Sequence, residues 1–370
     1  MKYLIVVVLF SAFFASYAQT QDQKAEARKY SNEFLKIGVG ARAFGMGNAM
    51  SAVADDVTAG YWNPAGLTDM DTIAQASLMH ASYFANVASY DYGGIVLPID
   101  STHRFGISLI RLGVNDIPNT IQLVSNGNID YSKVSSFNTA DFAAIFSYAW
   151  RLKRLRNLSF GTNVKIVYRG VGKFANAWGF GLDLAAKYRV KNFCLGVNLL
   201  DATRTYNMWT FNTETFEQKF IETGNVIPQN SVELTNPALR LGLSYRLFAQ
   251  KKISALLAAD MDWTFDGQRN VLISGKVVNI DPRFGLELGY KDGRDKMAAF
   301  LRGGVYNFQT EKDVEGVEHL TFFPTAGVGF IIRDLYNLNV DYALANIGNF
   351  SQNLYSHVVS LKFDLAKRKN

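Results

Sequence analysis

Four histidines, one cysteine and a scatter of carboxylates are the side chains of this 370-residue chain that could act on a substrate. A metal-bound water would need His, Asp or Glu ligands at close, regular spacing. His80, His103, His319 and His357 are dispersed instead; His80 and His357 fall within strand patterns and suit pore-lining or interfacial positions. Asp260 and Asp262 share one face of a strand end and are the one pair that could help to hold calcium. No G-x-S-x-G nucleophile elbow occurs. Cys194 stands in the apolar run Phe193–Val197, where a small hydrophobe is the simpler reading. Gly38-Val39-Gly40 opens like a dinucleotide fingerprint, but the third glycine is missing and no βαβ unit follows. Asp183, Glu287 and Asp341 are expected to pair with Lys165, Lys187, Arg240 and Arg246 inside a wet interior. This inventory describes no enzyme and calls for no cofactor or metal. The basic residues are scattered, and nothing reads as a nucleic-acid patch.

The densest cluster of unusual residues is 34–67, FLKIGVGARAFGMGNAMSAVADDVTAGYWNPAGL. Glycine and alanine at this density let backbone approach backbone, because a methyl group at most stands between them. A short helix is expected at roughly 41–54, ended by Asp55-Asp56. The turn Trp62-Asn63-Pro64-Ala65-Gly66 stops any helix, since proline biases the preceding residue away from the helical region. Such a segment belongs inside something.

The run Phe34 to Ala43, the Gly45-Met46-Gly47 triplet, Ala52-Val53-Ala54-Asp55-Asp56 and Tyr61-Trp62-Asn63-Pro64-Ala65-Gly66-Leu67 together resemble the opening of the PorV/PorQ family. Those proteins are outer-membrane barrels of Bacteroidetes-type bacteria, related to FadL-type transporters. In the FadL relatives a matching Asn-Pro-Ala stretch belongs to an N-terminal hatch in the barrel lumen. The resemblance therefore implies that role for Asn63, Pro64 and Ala65. It also marks Gly38, Gly40, Arg42, Gly45, Gly47, Asp55, Asp56, Trp62 and Gly66 as plug residues.

The elements that would hold such a plug are legible in the rest of the chain. Residues 1–18 read as a secretory leader: Lys2, an apolar run Leu4–Phe14, and Ser16-Tyr17-Ala18 at the cleavage site. Residues 19–33 are polar and are expected to be flexible, 34–72 form the plug, and 73–370 form the barrel. No later run of about 18 apolar residues could cross a membrane as a helix. Period-two alternation recurs instead. Leu239, Leu241, Leu243 and Tyr245 oppose Arg240, Gly242 and Ser244, while Trp178, Phe180, Leu182 and Leu184 oppose Gly179, Gly181 and Asp183. Aromatic residues gather at segment ends, as membrane-interface girdles require.

Fourteen strands are expected near 73–84, 88–99, 103–114, 137–150, 157–169, 177–190, 192–200, 237–248, 252–263, 283–291, 297–307, 321–332, 335–345 and 354–365. Long connections 115–136 and 201–236 fall outside, and 264–282 forms an external loop with some strand of its own. The fold class is an all-β, antiparallel transmembrane barrel of about 14 strands, filled by a small-residue plug. Strand kinks are expected at Gly93-Gly94 or Gly303-Gly304.

Two functions follow. The resemblance implies a component of the type IX secretion system in the outer membrane, surrounded by lipid. Its partners would be a large translocon barrel and cargo bearing C-terminal signal domains. Trp209, Phe211, Phe216 and Phe220 would then form a contact loop, or else fold over and seal the barrel mouth. The alternative is FadL-like transport of small hydrophobic molecules through an apolar pocket, a movable hatch and a lateral opening.

Overall fold

Bulky residues at every second position, with glycine, alanine or charge between them, give strands that are apolar on one face and small on the other. In water such strands would stack face to face. Here they curl into a single closed sheet whose bulky face points outward. The computed structural model describes residues 31–83, 86–125, 128–249, 252–292, 296–313, 315–346 and 355–366. The leader at 1–18 and most of the segment 19–33 lie outside the described residues.

The strands are β1 (Gln75–Tyr83), β2 (Ala88–Pro98), β3 (His103–Asn119), β4 (Ser135–Arg151), β5 (Leu158–Val171) and β6 (Ala175–Val190). Then come β7, in two pieces (Phe193–Leu200 and Thr205–Phe211), and β8, also in two (Ser231–Thr235 and Ala238–Ala249). The series ends with β9 (Ile253–Thr264), β10 (Asn279–Lys291), β11 (Met297–Lys312), β12 (Glu318–Ile332), β13 (Leu338–Asn346) and β14 (Tyr355–Asp364). Each pairs antiparallel with its neighbour, and β1 pairs with β14 from Gln75↔Asp364 to Ser82↔His357, so the 14-stranded barrel is closed. Closure leaves no edge with unpaired backbone groups, the condition for strands to sit in lipid.

Side-chain direction follows the alternation. Along β6, Trp178, Phe180, Leu184 and Tyr188 are exposed, whereas Asp183 and Lys187 are buried. On β4, β5 and β6 the outward aromatics form two clusters. Tyr148, Trp150 and Phe160 associate near the short turns, at centroid distances of 5.9 and 5.7 Å. Phe142, Tyr168 and Trp178 associate higher up, at 6.4 and 4.9 Å. Phe142 and Trp150 are thus separated by on the order of 25 Å of strand, enough to bracket an apolar band. His80 and His357 point outward and bond Asp91 and Tyr342, each at 2.7 Å, so they are surface residues and not pore lining.

The core lies in the lumen. Residues 34–70 fill it with α1 (Ala41–Gly45), α2 (Ala59–Trp62) and a 3-10 turn at Pro64–Asp69, and Val39, Met46, Ala54, Trp62 and Leu67 are fully buried. The first helix is much shorter than the expected 41–54. Gly47 and Asn48 take left-handed φ values of 59° and 61°, which end it. Ser31 and Asn32, at the end of the segment expected to be flexible, are buried and bonded to Asn207.

The long connections are shorter than expected, because strands continue above the membrane band. β3 reaches Asn119, and β7 and β8 resume beyond their interruptions, leaving 212–230 as loop with a short helix at Glu217–Glu222. The kink lies in these two strands. Gly93, Gly94, Gly303 and Gly304 all sit in regular register. Residues 265–278 form a loop with a two-residue strand, Ile273–Ser274, matching the expectation for 264–282.

Candidate functional site

The plug is fastened to the wall by charge. Arg42, on α1, grips Glu287 of β10 with Nε and Nη2, both at 2.8 Å, and reaches Asp55 with Nη1 at 3.0 Å. Arg302 of β11 donates to the same Glu287 at 2.7 Å and to Asp341 of β13 at 2.6 Å. Asp56 accepts from Lys362 of β14 at 2.6 Å and from the Thr58 hydroxyl at 2.6 Å. Burial pushes this carboxyl up, but Lys362 and Arg42 outweigh it and hold Asp56 well below the usual range. Asp69 meets Lys187 (3.0 Å), Arg189 (2.7 Å) and Arg151 (2.6 Å). These cations likewise overcome its burial and lower its pKa.

Backbone and amide contacts complete the fastening. Asp260 accepts from the Met50 and Ser51 amides at 3.0 and 2.9 Å, and Asp262 binds Arg240 and Arg283 at 2.5 and 2.6 Å. The pair considered for calcium is therefore a plug anchor and an ion-pair centre. Asn63, fully buried, donates to the Ser51 carbonyl at 2.8 Å and accepts from the Ala65 amide at 3.1 Å, capping the 3-10 turn that Pro64 opens. Trp62 donates to the Val39 carbonyl at 2.9 Å beneath the Arg240 guanidinium. At Gly47 the left-handed backbone rests on the wall, and a Cβ on the facing Gly304 would lie 2.2 Å from its nitrogen. The remaining plug glycines and Ala65 sit in the same packed body.

Asn198 of β7 donates to the Trp62 carbonyl at 2.8 Å; spacing alone did not mark it, Arg302 or Lys362 as wall residues around the plug, or Asp69 as a plug residue bound to the wall. The alternation does place Arg302, Lys362 and Asn198 on the inward face. Their partners come from distant sequence, so only the closed register reveals them.

Above the plug the wall is interrupted. Leu200 pairs with Ala238 and Thr205 with Thr235, which leaves Asp201–Arg204 facing only Asn236-Pro237. Asp201 and Arg204 have φ values of 50° and 62°. Pro237 offers no amide proton to the ladder. A cavity of about 400 Å³ opens here, lined by Tyr61, Lys165, Asp183, Asp201, Leu234 and Pro237 among others. It is floored by Tyr61, whose hydroxyl donates to the Leu35 carbonyl at 2.6 Å and whose pKa burial pushes up to about 12.

A second cavity, of about 600 Å³, lies beneath the 212–230 loop and shares Val232 with the first. Phe174, Trp209, Phe211, Phe216 and Phe220 line it. Phe216 is 6% exposed and lies 4.8 Å from Phe220 and 6.3 Å from Phe174. Arg169 stacks on Trp209 at 5.2 Å, and Trp209 donates to Glu233 at 2.9 Å. Trp209 and Phe211 thus belong to the wall, and all four aromatics expected in a contact loop turn inward.

The model of an uncharacterised protein family, UPF0164, matches residues 9–266. The chain belongs to that family. No curated protein matches it. Solved structures resembling this UPF0164 barrel include the toluene transporter TbuX of Ralstonia pickettii, with a TM-score of 0.52 and 16% identity over 88% of this chain and 98% of that one. The toluene transporter TodX of Pseudomonas putida gives 0.53 and 16% over 90% and 99%. A FadL homologue of Pseudomonas aeruginosa gives 0.52 and 13% over 88% and 98%. At such identities the likeness establishes the fold alone, a closed barrel similar to those of FadL-type outer-membrane proteins.

Proposed function

We propose that this protein is an outer-membrane conduit for small hydrophobic molecules, entered from the long-loop side and left through the wall. The observation that carries this reading is the pair of adjoining cavities above a fastened plug. One is aromatic and the other lies at the simultaneous interruption of β7 and β8. An apolar molecule of monoaromatic size fits within a cavity of about 600 Å³, among rings that exclude water. The similar structures include toluene transporters and a monoaromatic hydrocarbon channel, which supports the substrate class. Passage straight down would require the Arg42, Asp56 and Asp69 ion pairs to break. Sideways release at Asp201–Arg204 and Asn236-Pro237 leaves them intact.

The test is binding of toluene to the purified, detergent-solubilised chain, followed by Trp fluorescence or calorimetry. Removing both ring faces in a Trp209→Ala/Phe220→Ala variant is expected to weaken binding at least about tenfold, since each lost aromatic contact is worth roughly 0.5–1.5 kcal/mol beyond its area. No saturable binding in the unaltered protein overturns the reading.

A second reading is a type IX secretion barrel that binds a translocon or cargo signal domains. It draws on the resemblance of the opening motif and on the exposure of Ile221 (65%) and Val226 (88%) in the outer loop. Co-purification of a much larger barrel from native membrane, lost in an Ile221→Ser/Val226→Ser variant, would favour it.

A further inference from the structure

At the end of the barrel opposite the aromatic cavity, where the short turns lie, the plug and wall enclose a concavity of about 410 Å³. Several buried cations elsewhere are matched by carboxylates: Lys165 by Asp183 and Asp201, Lys187 by Asp69, Arg240 by Asp262. Within this concavity Arg42, Arg189, Arg302 and Lys362 are already committed to Glu287, Asp55, Asp69, Asp341 and Asp56. Lys191, Arg246, Lys252 and Lys291 also line it, and none of them has a carboxylate partner among the described residues. They converge from the ends of β8 and β10 and from two neighbouring turns. The floor contributes Asn339, which is 3% exposed.

Cations on an open turn are ordinarily just solvated. Four that surround one concavity with low-dielectric walls focus a positive field into it, and repel one another unless an anion enters. Lysine and arginine together are the usual donors to phosphate oxygens. A cavity of this size falls within the range of small-ligand sites, about 300–1,000 Å³.

We infer that the short-turn mouth is a binding site for a small, multiply charged anion bearing phosphate groups, held by Lys191, Arg246, Lys252 and Lys291. The site is separated from the aromatic cavity by the whole plug, so it stands whether or not the conduit reading holds. The phosphate could be free in the periplasm or be the headgroup of an anionic lipid reaching around the rim.

The experiment uses the full chain in nanodiscs of zwitterionic lipid, with inorganic pyrophosphate titrated calorimetrically at low salt. Saturable binding is expected. A variant with Lys191, Arg246, Lys252 and Lys291 all changed to Gln should lose at least about tenfold in affinity, or 1.4 kcal/mol. A control in which Lys133, Lys219, Lys276 and Lys312 on the long-loop side are changed to Gln should stay within about twofold, because those charges do not face the cavity. In nanodiscs containing phosphatidylglycerol, loss of pyrophosphate binding assigns the phosphate to a lipid headgroup, and retention assigns it to a soluble ligand. Absence of saturable binding in the zwitterionic discs, an equal loss in both variants, or binding of an acidic peptide but not of pyrophosphate overturns the inference. Lys191, Arg246, Lys252 and Lys291 make no ion pair among the described residues, Lys219 and Lys312 make only exposed ones with Glu222 and Glu318, and heat-dependent gel mobility confirms that each barrel has formed.

Discussion

Arg302 sits between Glu287 and Asp341 with 1% of its side chain exposed, so solvent cannot take over either carboxylate if the guanidinium is removed. Breaking a buried pair strands its partner, at a cost of about 3–5 kcal/mol. Arg302→Ala is therefore expected to lower the unfolding free energy of the barrel refolded in lipid vesicles by that amount, read as a lower urea midpoint at unchanged slope. Arg302→Lys should recover only part of the loss, because a point charge cannot serve two carboxylates in the planar geometry of a guanidinium. An unchanged midpoint would show that these pairs do not hold the plug. Acid should act on the same fastening through Asp56 and Asp69. Both carboxyls titrate below their ordinary value of 3.8 in the folded chain, so their contribution is complete above that value and fades as pH falls below it. In a variant retaining only Trp62 among the tryptophans, the emission should shift red below about pH 4, and Lys362→Met should move the onset upward by removing the Asp56 partner. The sequence places Lys187, Arg302 and Lys362 on the inward face through their period-two neighbours. It does not name Asp69, Asp341 or Asp56 as partners, because nothing local specifies which strands meet.

The fourteen strands were readable because each carries its own signal: bulky residues on one parity, small or charged ones on the other, aromatic rings at the ends. The interruption in β7 and β8 was not. Asp201-Ala202-Thr203-Arg204 breaks the alternation, and the chain beyond it as far as 236 reads as loop, yet Thr205–Phe211 rejoins β6 from Tyr206↔Phe180 to Phe211↔Ala175. That rejoining is a long-range pairing, invisible to any window of sequence. The plug helix failed for a local reason, since Gly47 and Asn48 adopt left-handed backbone where the alanine spacing suggested continuity. If the interruption is the exit of the conduit, closing it should stop release without touching capture. Deleting Ala202 and Thr203 equalises the two strands between Leu200↔Ala238 and Thr205↔Thr235, and Pro237→Thr restores an amide donor. Toluene binding should then stay within about twofold while uptake into cells falls at least about tenfold, a change of 1.4 kcal/mol or more. Uptake that persists in the closed variant would move the exit elsewhere.

At the scale of the whole molecule, what distinguishes this barrel from an open pore is the fit between a 14-stranded wall and residues 34–70. Barrel diameter rises with strand number, and a wall larger than about 8 strands is too wide for its own side chains to fill. The chain solves this with its N-terminal plug, whose backbone meets wall glycines such as Gly161, Gly196, Gly285 and Gly304 closely enough that any Cβ would collide with it. Contacts this close narrow the space beside the plug, and the intact protein is expected to show no steady conductance in a planar bilayer. Removing residues 37–70 should convert it into a conducting pore, provided the wall is stable alone. The wall has reason to be: its strands are joined by a closed backbone ladder, broken at Asp201–Arg204 and Asn236-Pro237, and its bulky face points outward. It would nevertheless lose the counter-charges for Lys187 and Lys362, which now face water and can be solvated there. The pore should accordingly favour anions, with a reversal potential that moves toward that of chloride in a salt gradient. A non-conducting deletion variant that still shows heat-dependent gel mobility would mean that the wall collapses onto itself, and that the plug is what holds the barrel open.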